Sequence, residues 1–284
     1  RCCLMERKKE STSGLQTVTN PIKPVYHTYI FEFKKQWKKF IIFLMISVLI
    51  PLLLGLLPNA LLPGNPLPAT QAEYFSTNQS FLTFLLIFAN CFFFSGIICR
   101  EYDKQTGFIL FPKINKYKLI LGKFLGNYTI VMGITAAYYY TLATLGVYYY
   151  GFPITIKYLY SFGIALLYIL AVSSFVTFFS AIMPKVTLVI VTTILILLIG
   201  FNMYAQISAL FIPDIEPIFS IQYAGNLISS ILDFPEVRYT DFSIMGFTFR
   251  TWLTPTIRAG ITVMLIYTGV FLFLSAIIFK RKQL

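Results

Sequence analysis

Residues 158–212 read YLYSFGIALLYILAVSSFVTFFSAIMPKVTLVIVTTILILLIGFNMYAQISALFI, with a single charged side chain, Lys185. About 20 apolar residues suffice to carry a helix across the hydrocarbon of a bilayer. This run is more than twice that long and is divided by Pro184–Lys185. It therefore reads as two antiparallel spans, Tyr158–Met183 and Val186–Ile212, joined by a tight turn. Because lipid offers the backbone no hydrogen-bond partner, each span is expected to be a helix.

Four more runs of the same kind lie outside it: Phe40–Leu57 with Pro51 as a kink, Phe81–Cys99, Lys123–Tyr150 and Gly260–Phe279. The composition agrees, being 57% hydrophobic and 12% charged, where soluble domains carry about 25% charged residues. The expectation is an all-α integral membrane protein with six transmembrane helices. Residues 24–284 form its membrane domain and residues 1–23 a disordered cytoplasmic tail, with Met5 a candidate initiator. The three spans between Lys123 and Ile212 exceed the bilayer's need and should tilt or project. Residues 58–80, rich in Pro and Asn, read as a loop. Residues 213–258 read as a short helix or re-entrant pair rather than a seventh span.

Lys and Arg sort by side, as membrane topology requires. The N-terminal segment holds nine, residues 100–123 six, the turn one (Lys185) and the C-terminus three (Lys280, Arg281, Lys282). The opposite side holds four: none in 58–80, Lys157, and Arg238, Arg250 and Arg258 among five acids in 213–258. Both termini and residues 100–123 are thus placed in the cytoplasm. The net charge of +12 follows from this topology and does not call for a nucleic-acid partner.

Ahead of the first span, YHTYIFEFKKQWKKF (26–40) sets Tyr26, Ile30, Phe33, Trp37 and Phe40 on one helical face. Lys34, Lys35, Lys38 and Lys39 occupy the rest. Such a helix lies in the headgroup layer; plain positive flanking of the first span fits the same residues.

No chemistry of covalent change is written in the chain. It has no G-x-x-x-x-G-K-[ST] phosphate loop, no H-E-x-x-H and no G-x-S-x-G. One histidine, His27, and four scattered cysteines make no metal or disulfide framework. No catalytic residue and no metal site are assigned, and the chain is not read as an enzyme. The span interiors carry uncharged polar groups such as Asn90, Asn127, Ser173, Ser174, Thr177, Ser180, Thr193 and Asn202. These fit interhelical hydrogen bonding better than substrate ligation. A proton- or ion-coupled carrier usually needs ionisable groups there. Lys123 is expected at a span's edge with its ammonium snorkelling to the interface. The tyrosine runs 138–140 and 148–150 fit aromatic belts, and also an amphipathic cargo.

Energy must then enter from a partner, and the candidate dock is REYDKQTGFILFPKINKYKLILGK (100–123), which carries eight charges between two apolar spans. It reads either as an amphipathic elbow, broken at Pro112, or as an ordinary positive-inside loop. This segment resembles the signature of type 2 permeases of ATP-binding-cassette (ABC) exporters. The resemblance is carried by Glu101 after the second span, Thr106, the apolar FILF with Pro112, the polar NKYK with Lys116, and Gly122-Lys123. Gln105 stands where the family usually has Gly, with Gly107 one residue after Thr106, and Lys116 stands near the usual Arg. The six spans, the helix before the first and the long external region before the last are also similar.

The resemblance implies a transport subunit at the plasma membrane (the inner one where a cell has two), paired with a second permease chain. A separate ATPase, holding ATP and Mg, docks below. It implies Glu101, Asp103 and Lys104 as ATPase-facing charges, with Thr106, Gly107, Pro112, Lys116, Gly122 and Lys123 completing the coupling segment. No cofactor is expected in this chain itself. The competing readings are a non-transporting membrane anchor or assembly protein, and a secondary carrier.

Overall fold

The computed structural model describes residues 23–61, 68–103, 116–212, 214–244 and 247–281. The tail 1–22 and half of the coupling segment, residues 104–115, lie outside them. Among the described residues, six helices are long and apolar enough to cross a membrane. They are α1 (Lys23–Leu61), α2 (Gln71–Phe94) continued by the short α3 (Cys99–Asp103), α4 (Lys116–Tyr150), α5 (Lys157–Ile182), a rod made of α6 (Val186–Ile194), a π-helical segment (Leu195–Gly200) and α7 (Phe201–Phe211), and finally α10 (Ile257–Arg281). Between α7 and α10 lie the short α8 (Ile221–Gly225) and α9 (Leu227–Ser230) and a hairpin of β1 (Tyr239–Ile244) and β2 (Phe247–Trp252).

Helices α2, α4 and α5 supply most of the core, with Phe75, Leu82, Leu86, Tyr138, Tyr168 and Val172 buried in it. Helix α1, the α6–α7 rod and α10 pack around them and expose long apolar faces. Met45 and Leu49 on α1, Val191 and Met203 on the rod, and Ile266 and Phe273 on α10 are all exposed. Faces this large and apolar would aggregate in water and are at home against lipid. The polar residues inside the spans largely bond to their own helix, which satisfies them without a partner. Thr135 donates to the carbonyl of Val131, Ser174 to that of Leu170 and Thr177 to that of Ser173. Interhelical bonding, expected of all of them, is confined to a few, Asn127, Ser180 and Thr193 among them.

The span boundaries differ from expectation in three places. Helix α1 is continuous from Lys23 through Pro51, so the 26–40 segment is the first turns of the spanning helix and not a separate element. Its face toward the protein is the polar one, with Thr28, Glu32, Gln36 and Ser47 buried, while Trp37 and Tyr26 are exposed. Second, α2 starts at Gln71, ten residues before the expected Phe81. The cause is a capping box: Thr70 accepts from the Glu73 N–H at 3.2 Å and Glu73 accepts from the Ala69 N–H at 3.0 Å. Thr70→Ala should cost about 1 kcal/mol and raise amide exchange over the first turn of α2, which hydrogen-exchange mass spectrometry reads directly. Third, 213–258 holds a β-hairpin as well as short helices. Its register sets Asp241 opposite Arg250. The Arg250 guanidinium, hydrogen-bonded to Asp241 at 2.9 Å, holds that carboxyl below its ordinary range.

The tyrosine runs divide between roles. Tyr138 donates to the carbonyl of Asn78 at 2.6 Å and Tyr139 shares a hydrogen bond with Ser161 at 2.8 Å, both deep in the core. Tyr140 and Tyr148 are each 77% exposed on the outer surface, as a belt residue would be.

Candidate functional site

The start of α1, the end of α2 with α3, and the start of α4 meet at the end of the bundle where α1 begins and α10 finishes. Helix α4 approaches α1 closely because it presents Gly122 and Gly126. A methyl group built on Gly122 would lie 2.8 Å from the Val25 carbonyl oxygen, and one on Gly126 would lie 3.2 Å from that of Tyr29. Small residues four apart let helix backbones touch in this way. The spacing G-x-x-x-G at 122–126 was available as a signal, but the expectation used only Gly122, as part of the coupling segment.

Backbone contact brings three buried ionisable side chains together. Lys123, 5% exposed, forms an ion pair with Glu101, 6% exposed, and its Nζ lies 3.9 Å from Oε1 of Glu32, 3% exposed. Glu32 also accepts from Lys35 at 2.9 Å. One turn further in, Gln36 donates to Oδ1 of Asn127 at 2.9 Å and faces the Phe93 carbonyl at 3.5 Å. Glu32, Glu101 and Lys123 are the buried acidic and basic side chains among the described residues, all at this end of the bundle. In a low dielectric a lone charge is expensive and a paired, hydrogen-bonded one is tolerable. That is why Lys123 turns inward to the two carboxylates instead of reaching for the interface, as the sequence suggested it would.

The passage from α2 to α3 is held by one side chain of α5. Ser180 Oγ donates to the Ser95 carbonyl at 2.7 Å and accepts from the N–H groups of Ile98 and Cys99, each at 3.1 Å. This satisfies backbone groups that the break after Phe94 would leave bare. It also fixes where α3, and hence Glu101, emerges.

Of the expected coupling residues, the structure unites Glu101, Gly122 and Lys123. Asp103 is the last residue of α3 and Lys116 the first of α4. Lys104, Thr106, Gly107 and Pro112 fall outside the described residues. Glu101 pairs with Lys123 within the chain. Of the expected interfacial set, Tyr26, Lys34, Lys35, Trp37, Lys38 and Lys39 are exposed, and Ile30 and Phe33 half-buried. Phe33, Trp37 and Phe40 stack on one another with ring centroids 5.4–6.0 Å apart. Glu32, Gln36, Asn127 and Ser180 complete the junction. Glu32 and Gln36 carried no signal in the sequence beyond their places opposite the aromatic stripe. Among the described residues no group of three or more His, Cys, Asp and Glu could hold a metal ion.

No family model matches the chain, and no curated protein matches it significantly.

Proposed function

We propose that this chain is the membrane-spanning permease subunit of a type 2 ABC exporter, powered by a separate ATPase that docks on residues 100–123 from the cytoplasm. The observation that carries the reading is the junction of Glu32, Glu101 and Lys123. The charged segment leaves the bundle at α3 and returns at α4, and both ends are tied to each other and to α1 by buried ion pairs. A push on residues 104–115 is therefore delivered to three helices at once. Glu101 and Lys123 serve as the tie, and Asp103 and Lys104 as charges offered to the ATPase. The Lys/Arg asymmetry supports cytoplasmic termini and a plasma-membrane location (the inner membrane where there are two). The exposed apolar faces of α1, the α6–α7 rod and α10 supply surface for a second permease chain and for lipid. The lysines of early α1 lie where anionic headgroups would meet them, with up to about 1 kcal/mol available for each. ATP and Mg belong to the partner. A secondary carrier is disfavoured because, among the described residues, the buried acidic and basic side chains sit at one end and are paired with one another.

The test is co-expression with an ATPase encoded beside this chain, followed by affinity purification and a vanadate-sensitive transport assay. The paired purification should recover both proteins. Lys104→Ala with Asp103→Ala should weaken recovery severalfold while leaving the permease folded. Recovery unchanged by the double variant would remove 100–123 as the dock, and a chain that never retains an ATPase would favour the anchor reading.

A further inference from the structure

At the opposite end of the bundle, α7, the α8–α9 pair and β2 enclose a cavity of about 260 Å³. Its wall includes four carboxamides, Asn202, Gln206, Gln222 and Asn226, together with Thr251 and Trp252. Among the described residues, no Asp, Glu, Lys, Arg or His lines it. The charges of the region are occupied nearby: Arg238 pairs with Glu216 at 3.2 Å, and Arg250 with Asp241 and Asp214.

Three independent features mark this as a built site. The π-helical segment Leu195–Gly200 lies directly before Phe201 and Asn202. A π-turn adds a residue to the helix, rotates the face that follows, and often accompanies function. The rotated face carries Asn202, Ala205, Gln206 and Ala209 on the cavity, polar groups alternating with small ones that leave room. Carboxamides on a helix in a lipid-facing rod are costly unless something uses them. Second, four carboxamides from two different elements, Gln222 among them, converge on one pocket, which brings amide donors and acceptors together around a space of ligand size. Asn202 and Asn226 each spend one N–H on the carbonyls of Leu198 and Leu253, which leaves each a second N–H and its oxygen. Third, the indole of Trp252 is fixed in place by the Arg238 guanidinium, 5.6 Å from its ring, and by Tyr239 at 5.4 Å.

The geometry points to a binding site for a neutral, hydroxyl-rich ring, one sugar unit in size. A pyranose presents a rim of hydroxyl donors to carboxamide oxygens and a C–H face to an aromatic wall. The absence of lining charge selects against anionic and cationic ligands. The volume falls just below the roughly 300–1,000 Å³ of sites for drug-sized ligands and suits a single ring. This goes beyond the transport reading and does not depend on it.

The chain has two tryptophans, so Trp37→Phe leaves Trp252 as the only indole reporter. That variant, in nanodiscs of zwitterionic lipid free of sugar detergents, is titrated with glucose, galactose, N-acetylglucosamine and glucuronate, and separately prepared with a monoglucosyl lipid. A saturable change in Trp252 emission is expected for at least one neutral sugar, free or lipid-borne, with a dissociation constant near about 1 mM. Gln206→Ala, at an exposed position, and Gln222→Leu should each weaken it about tenfold, equal to about 1.4 kcal/mol, with melting curves confirming that both variants fold. No saturable change with any neutral probe, a response to glucuronate alone, or a response untouched by Gln206→Ala would overturn the assignment. Because no ATPase is present, any of those results leaves the transport reading where it stood.

Discussion

Lys123→Met should destabilise the purified protein by roughly 3–5 kcal/mol, the usual cost of removing one partner from a buried ion pair. The lysine's ammonium is the cation between Glu101 and Glu32, and all three side chains are less than a tenth exposed. Without it, Glu101 stays buried after losing its ammonium, and Glu32 keeps Lys35 at 2.9 Å. Replacing Glu101 by methionine in the same chain should recover most of the loss, because well-packed apolar side chains often substitute for a buried pair at little cost. Lys123→Arg keeps the charge but must fit a larger, planar head beside Gly122 and Gly126, so it should fall between. Denaturant or thermal unfolding of these four proteins, wild type included, measures the differences, and the Glu101→Met single variant closes the cycle. A Lys123→Met protein within about 1 kcal/mol of wild type, well below the buried-pair range, would show that the junction is not a tie. Coupling gives a second readout: on the transport reading, the double methionine variant regains stability but not ATPase-driven transport.

Gly122→Leu should be the most damaging change that alters no charge. A first side-chain carbon at this position already stands 2.8 Å from the Val25 carbonyl oxygen and 2.8 Å from Thr28 Cβ. The carbonyl is helix backbone and has nowhere to go, so α1 must move away from α4. Overpacking of this kind costs about 1–3 kcal/mol, and separation of the helices also strains the Lys123–Glu32 contact beside it. The upper end of that range is expected. Gly163 on α5 and Gly269 on α10 are the controls, since nothing lies within 4 Å of a methyl group built on either. Gly163→Ala and Gly269→Ala should be neutral or stabilising by up to about 1 kcal/mol, the helix-propensity gain. Unfolding midpoints that rank Gly122→Leu with the two alanine variants would mean that α1 and α4 do not depend on close approach.

Several features of the fold carry a signal in the sequence that competing patterns hide. The capping box Thr70-x-x-Glu73 announces the start of α2, yet the Pro- and Asn-rich stretch before it suggested loop throughout. The hairpin had a signal too: YTDFSI and FTFRTW, on either side of Met245-Gly246, are rich in β-branched and aromatic residues. It was masked by apolar neighbours that drew the reading toward a re-entrant helix. The Gly122/Gly126 spacing was visible, but spacing alone does not say which helix it receives. Glu32 looked like one acid in a basic stripe, with nothing nearby in the chain to bury it.

The number of long apolar helices and their order were determined by the sequence itself, because in lipid a long apolar run has one way to satisfy its backbone and the period of that solution is local. The asymmetry of Lys and Arg was likewise a count along the chain. Which charges are buried, and against what, was decided only by tertiary structure. Glu101 and Lys123 are 22 residues apart, and Glu32 comes from another helix. Their pairing exists because two glycines let α1 and α4 touch and because Ser180, from α5, turns the chain after α2. The energy of a buried charge depends on atoms a few ångströms away, and no local pattern in the sequence records which atoms those will be.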